Sequence, residues 1–134
     1  MIVYLINEIE MVGVFDRGVP NEERIVLRVV ETSNLGCYGL MIGVRLADGS
    51  AFPIRDNLFW FGDAGMSVGD WLFVYTGPGQ ATVSELPNTQ ERLYSVHWGR
   101  RETILADPNI VPILFRTDAV VLPVRLAALP QLKP

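Results

Sequence analysis

The chain has very little cysteine, histidine or lysine: Cys37, His97 and Lys133 are the single representatives of their types in 134 residues. One cysteine excludes an internal disulfide framework and leaves CxxC metal and redox patterns without a second ligand. A cytoplasmic location is the expectation that goes with it. Long apolar runs are missing too. Met1–Ile6 is apolar, but Asn7, Glu8 and Glu10 interrupt it well short of a membrane span, and it lacks the basic flank and cleavage site of a secretory signal. No membrane association is expected. Charge is also scarce, 19% against 49% apolar residues, which argues against disorder. The formal charge of -4 removes net attraction as a basis for generic nucleic-acid binding. The length suits one domain that buries its own core.

No long segment shows helical periodicity. The prevailing period is two, the signature of strands with one buried face. Residues 38, 40, 42, 44 and 46 form an apolar row opposite two glycines and an arginine, and Asp48-Gly49 then supplies hairpin-turn chemistry before Ala51–Arg55, with Pro53 marking an edge. Further strands are predicted at Arg24–Thr32, Trp71–Thr76, Gln90–Trp98, Ile110–Arg116 and Ala119–Leu126, and Ile2–Val14 reads as one or two more. Turn residues such as Gly62-Asp63-Ala64-Gly65, Gly77-Pro78-Gly79 and Asp107-Pro108-Asn109 separate them. The expected fold is all-β, an immunoglobulin-like antiparallel β-sandwich, with a small β-barrel as the alternative. Residues 1–126 form the domain and 127–134 an extended tail, since Pro130 and Pro134 lack the amide hydrogen that pairing requires.

Over about residues 24–125 the order of features resembles the lamin-tail domain family. The resemblance is carried by Asn34-Leu35-Gly36, Tyr38-Gly39-Leu40-Met41, the hairpin into Phe52, the run Met66–Gly77, and then Leu93–Trp98, Thr103-Ile104-Leu105 and Ile113–Arg116. Arg100-Arg101-Glu102 and Asp107-Pro108-Asn109 stand where that family usually has a tryptophan and a Gly-Asp step. The resemblance implies an immunoglobulin-like sandwich that binds or scaffolds and has no catalytic site.

The chemistry-bearing candidates are few. Cys37 and His97 have the order of a Cys-His hydrolase, in which the imidazole generates a thiolate, but such a cysteine usually opens a helix and Cys37 opens a strand. Tyr94, His97, Trp98, Arg100 and Arg101 make the densest mixture of aromatic and basic groups, the usual anchors of interfaces. Either Tyr94, Val96 and Trp98 or Leu93, Ser95 and His97 must face the core. Phe59-Trp60-Phe61 places three aromatics in succession, so at least one lies at an edge or in a contact. Asp48, Asp56, Asp63 and Asp70 fit no calcium loop and read as turn aspartates, so neither metal nor cofactor is expected. Glu22-Glu23 reads as part of a solvated loop.

The reading that follows is a non-catalytic interaction or self-association module, a homo-oligomer or the binder of a protein partner, with Phe59, Trp60, Phe61, Tyr94, Trp98, Arg100 and Arg101 as contact residues. The alternatives are a sandwich or barrel holding a small ligand, the Cys-His hydrolase, and nucleic-acid binding through residues 92–134, where five Arg and one Lys outnumber three acids.

Overall fold

The computed structural model describes residues 5–124. Ten strands are present among them: β1 (Ile9–Phe15), β2 (Arg24–Val29), β3 (Ser33–Asn34), β4 (Tyr38–Arg45), β5 (Ala51–Trp60), β6 (Gly65–Met66), β7 (Trp71–Tyr75), β8 (Thr82–Glu85), β9 (Arg92–His97) and β10 (Ile110–Arg116). One 3-10 turn, Leu35–Cys37, joins β3 to β4. The fold is an all-β sandwich. A five-stranded sheet of order β1-β2-β7-β9-β8 faces a three-stranded sheet of order β10-β4-β5, and the short β3-β6 ladder lies beside them. Both larger sheets stay open, so the barrel alternative is not realised.

Strand alternation builds the core. Ile25, Leu27 and Val29 of β2 and Leu72 and Val74 of β7 point inward from the large sheet, against Tyr38, Leu40 and Ile42 of β4. Tyr94, Val96 and Trp98 pack on the same cluster. That settles the two rows of this segment: the aromatic row is the core row, and Leu93, Ser95 and His97 face outward.

Three expectations about the strands need correction. The pairing is not wholly antiparallel, because β9 runs parallel to β7. The chain passes from β7 to the far edge as β8 and returns as β9 between them. β5 is twice the expected length: Leu58 pairs with Met41 and Pro53 with Gly43, so residues 54–57 bulge opposite Ile42, with Asp56 at φ 64°. Residues 119–124 form no strand and are exposed; Pro123 interrupts their alternation. Arg125, Leu126 and the predicted tail 127–134, like most of the apolar start, lie outside the described residues.

One buried acid organises the end of the sandwich. Glu23 is 1% exposed and is not the solvated loop residue expected. Its carboxylate accepts hydrogen bonds from the Thr76 hydroxyl at 2.7 Å and from the backbone N–H groups of Gly18, Ile104 and Leu105 at 2.9 Å each. Four donors on one carboxylate compensate its removal from water. Arg17 secures the same loop from the other side, donating to the carbonyls of Leu105 and Ile110 at 2.9 Å and of Asp107 at 3.2 Å. The long segment between β9 and β10 is thereby fixed without secondary structure of its own.

Candidate interaction surfaces

The aromatic triplet at the end of β5 obeys strand alternation. Phe61 is buried, and Phe59 packs against the core with its ring 5.3 Å from Trp98 and 6.2 Å from Phe61. Neither offers its ring to a partner. Trp60 faces the other way and is 56% exposed, its indole N–H donating to the Gly36 carbonyl at 2.9 Å. Tyr94 and Trp98 are half-buried on the core side. Of the predicted contact residues, Trp60, Arg100 and Arg101 therefore remain on the outside.

Trp60 belongs to a larger apolar surface. Because Tyr38, Leu40 and Ile42 face the core, Gly39, Met41 and Gly43 face outward, and register places Phe115, Ile113 and Val111 beside them on β10 and Trp60, Leu58 and Pro53 on β5. The side chains of Phe115 and Ile113 lie across the two glycines, where a Cβ at Gly39 would stand 2.6 Å from Phe115 and one at Gly43 2.6 Å from Ile113. Small residues on β4 thus let large neighbours lie flat. None of the residues paired across this face between Gly39 and Gly43 is charged, the nearest charges on β5 being Arg55 and Asp56 in the bulge between Pro53 and Leu58. The outer face of an antiparallel sheet is ordinarily polar, so its apolar character calls for cover.

The edges of the same sheet are unsuited to strand addition. Arg45 N–H donates to Asn109 and Thr117 N–H to Cys37, which fixes the hydrogen-bonded pairs of β4 with β10 at the odd-numbered residues of both strands. Leu46 N–H to Ser50 and Phe61 N–H to Tyr38 fix those of β4 with β5 at the even-numbered residues of β4. Pro112 on β10 and Pro53 on β5 consequently occupy positions whose N–H would point to the open edge. Each edge lacks a donor where a foreign strand needs one.

The large sheet presents a different surface. Trp71, Phe73 and Tyr75 alternate outward from β7, and arginines of β2 lie over the rings: Arg28 is 4.8 Å from the Trp71 centroid, and Arg24 is 5.5 Å from Phe73 and 5.7 Å from Phe15. His97 stacks on Tyr75 at 5.0 Å. The charges are already matched, Arg28 with Glu91 at 2.9 Å and Arg24 with Asp16 at 2.6 Å. The guanidinium charges of this ladder are matched, whereas Arg24 Nε and His97 Nδ1 are buried without a hydrogen-bond partner.

Cys37 and His97 are not brought together. Cys37 is exposed and lines a cleft with Glu8, Tyr38 and Arg116 beyond the C-terminal end of β2, whereas His97 pairs through Tyr75 with Arg24 at the N-terminal end of that strand. Five residue steps, about 17 Å of strand, separate the two ends. The cysteine's neighbours form a polar network instead. Glu8 accepts from Tyr38 and, at 2.7 Å, from Arg116, and these bonds lower its pKa to about 2. Burial, together with the Glu8 carboxylate, pushes the Tyr38 hydroxyl up to about 12. Arg116 also pairs with Asp118 at 2.8 Å, and both carboxylates hold its pKa above the ordinary arginine value.

Asp70 is a second acid whose place the sequence did not disclose. Burial alone would raise its pKa, but bonds from Ser67 N–H, the Arg92 guanidinium at 2.9 Å and Arg92 N–H outweigh burial and hold it below the usual carboxylate value. Two of the six basic residues of 92–134 are paired within the fold: Arg92 with Asp70, and Arg116 with Glu8 and Asp118. Arg100 and Arg101 make no ion pair among the described residues.

Comparison with protein-family models, with curated proteins and with solved structures finds no match for this chain.

Proposed function

We propose that this protein is a non-catalytic β-sandwich module that associates with a second copy of itself through the outer face of β10-β4-β5. The observation that carries the reading is the uncharged face of Met41, Leu58, Trp60, Ile113 and Phe115, which lies where a sheet facing water would be polar. A face of this kind is self-complementary without charge matching, so two copies pack across a twofold axis. Pro53 and Pro112 favour face-to-face packing over strand addition.

Three strands of about seven residues give a planar footprint of roughly 300 Å², short of the about 800 Å² per partner that a stable dimer buries. Side chains that stand out from this plane enlarge the contact, Trp60 being 56% exposed and Leu58 58%. An immunoglobulin-like, lamin-tail character for residues 24–125 belongs to this proposal; the two-sheet β architecture supports the sandwich alone.

Light scattering on size-fractionated protein tests the proposal. A dimer is expected at micromolar concentration, and Leu58→Glu, which places a charge on an exposed position, is expected to give monomers with an unchanged melting temperature. A wild-type monomer at the highest attainable concentration overturns it.

A further inference from the structure

A cleft of about 390 Å³ opens just beyond the C-terminal end of β7, lined by Pro20–Asn21, Thr76–Pro78 and Arg100–Thr103. We propose that it is a binding site for a small ligand bearing an oxyanion, a phosphate or a carboxylate, held by Arg100 and Arg101.

The loop that carries these arginines is held at both ends. Gly99 N–H donates to the Gly77 carbonyl at 3.1 Å and Arg100 N–H to Thr76 at 2.8 Å, while Ile104 and Leu105 are bound by Glu23 at 2.9 Å. Only the short span between these anchors projects into the cleft. Long segments without secondary structure inside a compact domain usually bind something, and this one is given order by a buried carboxylate and by Arg17. Its conformation does not depend on the two arginines it displays.

Charge selects the ligand class. Arg24, Arg28, Arg92 and Arg116 each pair with a carboxylate, whereas Arg100 and Arg101, adjacent in sequence, have none among the described residues. Against them stands Glu102, leaving one net positive charge at the cleft in a chain of formal charge -4. The Trp98 ring, 5.9 Å from the Arg100 guanidinium, supports that side chain. Two planar guanidinium forks suit the paired oxygens of phosphate or carboxylate. The volume lies in the range of small-molecule pockets and leaves space for a few atoms beyond the anion, against Pro20 and Pro78.

The test is an amide chemical-shift titration with sodium phosphate and, separately, sodium acetate, each against sodium chloride at equal ionic strength. Saturable shifts are expected at Gly77 and at residues 99–103 with one of the two anions. Saturation by phosphate identifies a phosphate ligand, and saturation by acetate a carboxylate. Arg100→Gln and Arg101→Gln are each expected to weaken binding tenfold or more with unchanged melting temperature, and Glu102→Gln to tighten it several-fold. Shifts that track ionic strength alike for all three salts, or binding unaffected by either arginine substitution, overturn the assignment. The apolar face shares no residue with this cleft, so the outcome stands apart from that of the association experiment.

Discussion

Replacing Glu23 by alanine is expected to destabilise the protein by about 4 kcal/mol. The figure follows from the donors the carboxylate leaves behind: the Thr76 hydroxyl and the Leu105 N–H are buried, and each orphaned buried donor costs roughly 1–3 kcal/mol. The Gly18 and Ile104 N–H groups are half-buried and regain water at lower cost. For a domain of this size the loss corresponds to a melting temperature lower by roughly 15 °C. Glu23→Gln is expected to fall between wild type and alanine, because an amide oxygen still accepts two of the bonds while its NH2 meets donors. Glu22→Ala is the control. Glu22 is exposed, and a change there is expected to stay within about 0.5 kcal/mol. Urea unfolding measures both differences, and amide hydrogen exchange supplies a local readout, with Ile104 and Leu105 losing protection in Glu23→Ala. A cost below about 1 kcal/mol, or undiminished protection at those two amides, would refute the reasoning that this acid pins the loop.

Three further outcomes are expected. With a folded pKa of about 2 against the ordinary 4.5, Glu8 contributes stability that is fully present above about pH 5 and is lost as pH falls toward 2; the urea-midpoint difference between wild type and Glu8→Gln should be constant near neutrality and shrink over that window. Tyr38, raised to about 12, has the opposite sense: its contribution is intact below pH 10 and declines as pH climbs through 12, so Tyr38→Phe should flatten the alkaline limb of stability. Gly39→Ala places a Cβ 2.6 Å from the Phe115 ring and 2.7 Å from the Phe59 carbonyl, and chemical denaturation should show a loss of about 1–3 kcal/mol.

Much of the fold was legible because alternation is a local signal. Ile110–Arg116 appears with its predicted boundaries, and β4, β7 and β9 differ from prediction by only a residue or two. What was hidden depends on distant partners. Glu23 is bound by residues 76, 104 and 105, and nothing in Pro20–Arg24 distinguishes it from its exposed neighbour Glu22. Asp70 sits in a turn by sequence and in an ion pair with Arg92 by fold. β8, four exposed residues, has no apolar row to announce it, and Ala119–Val124 has the composition of a strand without a neighbour to pair with. At the candidate surfaces, the aromatic triplet implied that at least one ring leaves the core without saying which, and alternation makes it Trp60. The wider apolar face emerged only when register brought β5 and β10 alongside the glycines of β4.

The parallel junction of β7 with β9 gives the large sheet a seam. One piece is the antiparallel set β1-β2-β7, the other the hairpin β8-β9, and along the sheet they are joined by a single ladder from Trp71–Leu93 to Tyr75–His97. The hairpin is local in sequence, but its apolar row of Tyr94, Val96 and Trp98 is covered only when it docks on the rest of the sandwich. The two strands are therefore expected to lose amide protection together, as one cooperative unit of the domain. Under mechanical load or mild denaturant, the molecule should part first along this seam.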